Sequence, residues 1–375
     1  MGERSVKVQA HGRTELAGNH VDHQGGRVVS GTVDCGIAME LTPNGTDTVR
    51  LQSEGFAPIE LDVRDLTPVD AERNTTAALV RGVAAGMRAV GIPVAGFDAQ
   101  AKSDIPAGGG LSSSAAFEVA LARGIDALFG DGTMDPLDIA GIGCTAEREW
   151  FGKPCGLQDQ TAIALGGISL MDFASVFSGD GRVKHRPIRF DFEEHGYALC
   201  LIDSHCDHSL YPDEFAQVTE DMLAVARFLG TEVLDQVGED AFLARFEDVR
   251  AQLGDVPALR ALHYFDEVRL VDARAAALEA GDMEAFLAAT RRSGFSSAAF
   301  LQNTATADRA SQPASVALAL AAHALDGRGA YRIHGGGFGG TIQTFVPLDI
   351  LEAFTAFMDA HLGAGSCRRY RIVEG

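Results

Sequence analysis

Ile105-Pro-Ala-Gly-Gly-Gly-Leu-Ser-Ser-Ser-Ala-Ala-Phe117 is poor material for a packed element, since three glycines run straight into three serines. It suits an anion cradle instead. Glycine lets backbone N–H groups turn inward with no Cβ in the way. The helix that follows through Ala115, Ala116, Val119, Ala120 and Leu121 adds free amides and the positive end of its dipole. The stretch reads as a nucleotide-phosphate loop, with a glycine-rich turn and a serine helix cap as the plainer alternative. It is not a Walker loop, because no Gly-Lys-Ser or Gly-Lys-Thr occurs in the chain. The compensating charge must come from elsewhere, most plausibly from Mg2+ held by a serine hydroxyl and a carboxylate.

Outward from the loop, Leu79, Val80, Val83, Met87 and Val90 are spaced as a helix over Thr76 to Val90. Downstream, the loop's own helix runs to Phe129 and stops at Gly130-Asp-Gly132. A second helix spans Leu137 to Phe151, with Ile139, Ile142, Ala146 and Trp150 on its apolar side and Glu147 next to that face. The turn Gly152-Lys-Pro-Cys-Gly156-Leu-Gln-Asp159-Gln160 then sets Asp159 near the start of an apolar helical run, Ala162 to Leu165. A carboxylate there serves either a ligand or only the helix dipole.

Upstream, Val6 and Val8 alternate with polar neighbours in a short strand, Ser5 to Ala10. The segment Gly12-Arg-Thr-Glu-Leu-Ala-Gly-Asn-His-Val-Asp-His-Gln-Gly-Gly26 follows, read as a polyol-binding loop between strands because its polar groups are costly to desolvate without partners. Arg27 to Cys35 is the next strand. His20, Asp22 and His23, and likewise Asp203, His205, Cys206 and His208, could be metal ligands, but neither set has the second cluster a closed site needs. Strand and turn fill Phe173 to Phe192, with a hairpin at Ser178-Gly-Asp-Gly181, and Tyr197 to Asp203 is an apolar strand. A domain boundary is placed here, giving segments 1–195 and 196–375. Asp213 to Leu301 is a helical layer, followed by a helix over Ala314 to Leu325, a glycine turn at Gly335 to Gly340 feeding a strand, and a last helix from Leu348 to His361.

The whole chain of 375 residues, 46% hydrophobic and 22% charged, can bury a full core. Its net charge of −21 argues against a general nucleic-acid or anionic-membrane surface, which clustered Lys and Arg would have to build. Six cysteines without paired spacing read as reduced thiols, and the absence of a signal-like start or an 18-residue apolar run makes the expected location cytoplasmic.

Taken together, the three glycine motifs in this order resemble the GHMP small-molecule kinase family, and Gly12 to Gly26 is similar to the galactokinase signature within it. The Glu147-to-Gln160, Ser209-Leu-Tyr211-Pro and Gly281-to-Phe286 segments and the Gly335-to-Gly340 turn follow in the same order. The resemblance implies a mixed α/β, two-domain fold, an S5-like N-terminal half and a ferredoxin-like C-terminal half with the active site in the cleft between them. It implies an ATP- and Mg2+-dependent kinase acting on the anomeric hydroxyl of galactose. Arg13 would stabilise the transition state and Asp159 would be the catalytic carboxylate. Gly108, Gly109, Gly110, Leu111, Ser112, Ser113 and Ser114 would hold ATP, Ser114 and Glu147 the Mg2+, and Asn19, His20, Asp22, Gly156 and Tyr211 the sugar. Arg13 beside Asp159 would keep that aspartate ionised.

Four positions depart from the family pattern: Asn19 replaces the usual Glu, His11 a Pro, Thr341 a Cys, and Arg73-Asn-Thr-Thr76 a Trp-containing nucleotide segment. An amide at 19 opens the alternative of another sugar, such as galacturonate, arabinose or an N-acetylated hexosamine. A non-catalytic sugar and ATP sensor is a further reading, against which stands the intact run Ser112 to Ala116. Oligomeric state is left open.

Overall fold

A long antiparallel ribbon organises the computed structural model, which describes residues 5–106, 108–206 and 212–374. Strand β1 (Val6–Ala17) pairs along β2 (Arg27–Pro43), from Val6 opposite Leu41 to Ala17 opposite Val29. The register shifts between His11 and Arg13 and again between Glu15 and Ala17. Such bulges bend a strand and re-aim its side chains. Strand β1 thus runs past Ala10, where its alternation predicts an end, and takes in Gly12 to Ala17, expected as loop. The strand continues because its polar groups find distant partners: Arg332 bonds Glu15, and Gln343 bonds Thr14.

The other edge of β2 is shared between β5 (Phe97–Ser103) and β6 (Ile168–Asp172). Two strands absent from the sequence reading, β3 (Thr48–Ser53) and β4 (Ile59–Asp62), and then β7 (Lys184–Ile188) complete a seven-stranded sheet in the order β4-β3-β5-β2-β6-β7, with β1 on β2. Helices α1 (Thr76–Ala89), α2 (Ser113–Phe129), α3 (Pro136–Thr145) and α4 (Gln158–Leu165) cover it. Phe97, Val83, Met87, Val119, Leu121, Ile125 and Ile163 fill the core between them. Past α3 the chain widens into a π-turn, Ala146–Phe151, ended by Gly152 at φ 91°. The helix expected over Leu137 to Phe151 is thus two pieces, a break of the kind found where a side chain must be re-aimed into a site. The expected hairpin at Ser178 to Gly181 is instead the exit of a short helix, α5 (Ala174–Ser178).

Strand β8 (Tyr197–Asp203) belongs to a second sheet, four-stranded and antiparallel, in the order β11-β8-β10-β9 with β9 (Ala330–Ile333), β10 (Thr341–Pro347) and β11 (Cys367–Tyr370). Helices α6 (Pro212–Phe228), α7 (Glu239–Ala244), α8 (Phe246–Leu253), α9 (Asp255–Ala280) and α10 (Met283–Ser296) form the helical layer, and α11 (Pro313–Leu325) and α12 (Leu351–Leu362) back the small sheet. The seven-stranded sheet is drawn from residues before 195 and the four-stranded one from residues after it. Two hydrophobic clusters contain residues from both parts, for example Leu16, Val29 and Ile168 with Leu201, Phe286 and Phe345.

Candidate active site

The glycine loop leaves β5 and reaches α2 with Gly108, Gly110 and Ser112 all at positive φ, between 59° and 72°. Gly110 has a second constraint: a Cβ there would meet Thr341 Oγ1 at 2.9 Å, so the loop rests on β10. Nothing lies within 4 Å of the Cβ position at Gly108, which opens the other side to solvent. Among the described residues, none accepts a hydrogen bond from the backbone amides of Leu111, Ser112, Ser113 or Ser114. Four open amides at the start of a seventeen-residue helix are a seat for an anion.

Arg13 and Asp159, 146 residues apart, meet beside this loop. Arg13 Nε donates to Asp159 Oδ1 at 2.7 Å, and Arg13 Nη1 donates to the Gly110 carbonyl at 2.6 Å. Ser112 Oγ donates to Asp159 Oδ2 at 2.5 Å. Burial alone would raise the Asp159 pKa, but Arg13, the Ser112 hydroxyl and more weakly Lys153 outweigh it and hold the carboxyl below its ordinary value. Asp159 is in the first turn of α4, yet its carboxylate is used by a guanidinium and a hydroxyl from two other elements.

In the first turn of α2, Ser114 Oγ donates to Glu147 Oε1 at 2.9 Å. The π-turn delivers Glu147, which is 3% exposed; Lys153 Nζ bonds the same oxygen at 2.9 Å, and Gln160 Nε2 donates to Oε2 at 2.9 Å. Gln160 Nε2 also reaches Glu118 Oε2 at 2.9 Å. Burial, then the nearby Glu147, pushes the Glu118 carboxyl well above its usual range. Neither Glu118, Gln160 nor Lys153 was assigned a role from sequence. The clue for Glu118 was its spacing: four residues after Ser114, it lies on the same face of an otherwise apolar helix.

The segment expected to hold a sugar is arranged differently. Asn19 is fully buried: its Nδ2 donates to the Gly335 carbonyl at 2.5 Å, and its Oδ1 accepts from Asn303 Nδ2 at 2.8 Å and Ser297 Oγ at 3.3 Å. Protein groups therefore already bond both polar atoms of the amide that is expected to contact the sugar. His20, at φ 58°, donates from Nε2 to the Gly336 carbonyl at 2.8 Å, which leaves Nδ1 to accept from His23 Nε2 at 3.4 Å. Burial keeps His20 neutral, with its pKa down to about 4. Behind them, Glu267 accepts from the amides of Gly18 and Asn19 and pairs with buried Arg274, while His263 donates to the Asn19 carbonyl at 3.0 Å.

Asp22 is the exception in this segment. Half-buried, its carboxylate receives no hydrogen bond from a side chain among the described residues; it lies against Gly156, where a Cβ would come within 2.1 Å of Oδ2. Desolvation, then the charges of Asp159 and Glu15, pushes its pKa up to about 7. Tyr211, His208 and the Ser209-to-Tyr211 stretch lie outside the described residues.

A buried polar layer joins the two parts under the loop. Arg332 donates to Glu15 Oε1 at 2.8 Å and to its carbonyl at 2.7 Å; burial would raise the Glu15 pKa, and Arg332 more than offsets it. His334 accepts from the Glu15 amide at Nε2 and therefore donates from Nδ1 to Thr341 Oγ1 at 2.9 Å, whose hydroxyl faces the Gly109 carbonyl at 3.5 Å. That places the departure at Thr341 in direct support of the loop. The departure at Arg73 to Thr76 packs on the π-turn, with the Asn74 amide donating to the Phe151 carbonyl at 3.0 Å.

A model of the GHMP kinases N terminal domain matches residues 78–167, and one of the galactokinase galactose-binding signature matches residues 1–43. A galactokinase of Streptomyces lividans is 31% identical over 377 residues, covering 97% of this chain and 87% of the relative. One from Actinobacillus pleuropneumoniae is 29% identical over 92% of this chain and 86% of its own. Among solved structures, Lactococcus lactis galactokinase complexed with galactose superimposes with a TM-score of 0.84 at 22% identity, over 99% of this chain and 94% of that one. The L. major mevalonate kinase in complex with R-mevalonate gives 0.66 at 15% identity, over 100% of this chain and 97% of that one.

Proposed function

The chain belongs to the galactokinases of the GHMP kinase family, and from that premise we propose that it transfers the γ-phosphoryl group of ATP to the anomeric C1 hydroxyl of D-galactose, giving galactose 1-phosphate and ADP. The observation that carries the reading is the convergence of Arg13, Asp159 and Ser112 at a loop whose amides are open to an anion.

Leu111 to Ser114 are the phosphate seat, with Gly108 to Gly110 shaping it. Ser114 and Glu147 would hold Mg2+: a hydroxyl and a carboxylate are the hard oxygen donors that ion takes, and it usually keeps only one or two carboxylates besides substrate phosphates. Bound there, the ion would neutralise charge on the phosphate chain. The sugar is proposed to lie over Asp22 and Gly156, with Asn19 and His20 acting through the backbone they fix, and the active site to lie between the segments 1–195 and 196–375. A reaction consuming ATP and a free sugar fits the cytoplasm.

Asp159 accepts a hydrogen bond from the sugar hydroxyl and orients its oxygen toward the incoming phosphorus. Its carboxyl is held ionised by Arg13, so it is a weak base whose main contribution is aim and charge; the proton moves late, once the bond to phosphorus has begun to acidify the hydroxyl. Arg13, held in place by Asp159 and the Gly110 carbonyl, faces the transferring group and offsets its charge.

Release of ADP, followed with MgATP across galactose, galacturonate, arabinose and N-acetylgalactosamine, tests the reading. Turnover is expected with galactose in preference to the rest. No turnover with galactose while another sugar works would transfer the proposal to that sugar, and no sugar phosphate from any would leave only a binding protein.

A further inference from the structure

We propose that Lys153 is the phosphate-binding lysine of this site. Its ammonium pairs with Glu147, and when nucleotide is seated it turns to the phosphate oxygens. The inference deepens the kinase reading and rests on it.

The glycine loop supplies amides but no lysine, and a triphosphate brings several negative charges into a cleft that already holds Asp159 and Glu147. Two cationic side chains bond those carboxylates among the described residues: Arg13 and Lys153. They are held in opposite ways. Arg13 is 7% exposed and fixed by Asp159 and the Gly110 carbonyl. The side chain of Lys153 is 53% exposed and makes one ion pair.

Its backbone, however, is anchored. The amides of Gly152 and Lys153 both donate to the Glu147 carbonyl, at 3.0 and 3.1 Å, and Pro154 follows. A fixed root with a free four-carbon stem is the build of a group that changes partners. An exposed Lys–Glu pair at a protein surface contributes little. Here the acid is almost wholly buried, and its Oε1 is the oxygen that Ser114 also bonds, at 2.9 Å. The ammonium therefore lies on the same carboxylate oxygen as the hydroxyl at which the open amides end, beside the place where a phosphate chain would sit.

Calorimetric titration of ADP and of a non-hydrolysable ATP analogue, each with Mg2+ and with EDTA, separates the possibilities in the wild type, Lys153→Met and Lys153→Arg. Methionine keeps the stem and removes the charge. Lys153→Met is expected to weaken nucleotide binding about ten- to a hundredfold in both arms, the loss of a charge-assisted contact. Its KM for ATP should rise in step, while KM for sugar changes less than about twofold. Lys153→Arg should recover most of the affinity. The proposal is overturned if Lys153→Met binds nucleotide like the wild type in EDTA, including the case where it merely lowers the Mg2+ needed for activity, which would make Lys153 a competitor for Glu147 and no more. A wild type that binds no nucleotide would overturn the kinase reading itself.

Discussion

On the side proposed for nucleotide, Leu111 to Ser114 hold out amides with no acceptor among the described residues, and Asp159 keeps a third of its side chain exposed. On the side proposed for the sugar, Asn19 and His20 are buried and every side-chain nitrogen and oxygen they own is bonded to protein. The first region leaves its amides without partners among the described residues, which is why it is the proposed binding surface. The second is a brace: it ties β1 to α9, the Asn303 loop and the Gly335-to-Gly340 turn, and offers a ligand chiefly the Asp22 carboxylate. Two stretches of similar polarity thus do different work, and the difference lies in whether their polar atoms have partners.

The largest expected effect breaks the open side. Arg13→Ala and Asp159→Asn should each lower kcat by about two to three orders of magnitude, the usual loss when one preorganised charge at a transferring group is removed. Nucleotide affinity should change far less, since the loop amides remain. Next comes the brace. Asn19→Leu leaves the Gly335 carbonyl, Asn303 and Ser297 without their partner, a cost of about 2–3 kcal/mol, read as a fall of several degrees in Tm. Because Asn19 is spent on protein, KM for sugar should move only a few-fold; a hundredfold rise with unchanged Tm would mean that its amide reaches the ligand.

The smallest effect sharpens the contrast at Asp22. Its folded pKa of about 7 exceeds its ordinary value of 3.8, so the native state binds that proton more tightly than the unfolded chain. Stability from this group is full below about pH 4 and falls as pH rises through about 7. Asp22→Asn should therefore raise Tm at pH 8, by a degree or two, and by only roughly a third as much at pH 5, while raising KM for sugar. Calorimetric melts at the two pH values check the sign; a stabilisation that is larger at pH 5 would contradict it.

The open side stands out in the sequence because its residue types suit a ligand, glycines and serines at a helix start and a carboxylate after a tight turn, although a cap and a helix-dipole charge account for them too. The brace does not stand out. Glu15 is read as loop until Arg332, 317 residues away, is seen to pair with it. Asn19, whose place in the sequence suggests a sugar contact, also gives its oxygen to Asn303, 284 residues away. Local patterning carries no record of such partners, which also hid the extension of β1 to Ala17. Glu118 was missed for a simpler reason: its neighbours Ala116, Phe117 and Val119 define the helix, and an acid among them passes as a flank. The π-turn at Ala146 to Phe151 leaves no mark in helical periodicity, although it is what turns Glu147 toward Ser114.

The most direct test is a single turnover of Asp159→Asn against the wild type, with galactose and MgATP both saturating and the sugar phosphate quantified by phosphorus NMR. The account predicts galactose 1-phosphate from the wild type and formation at least about a hundredfold slower in the variant, with both substrates still bound. Equal rates in the two proteins would contradict it.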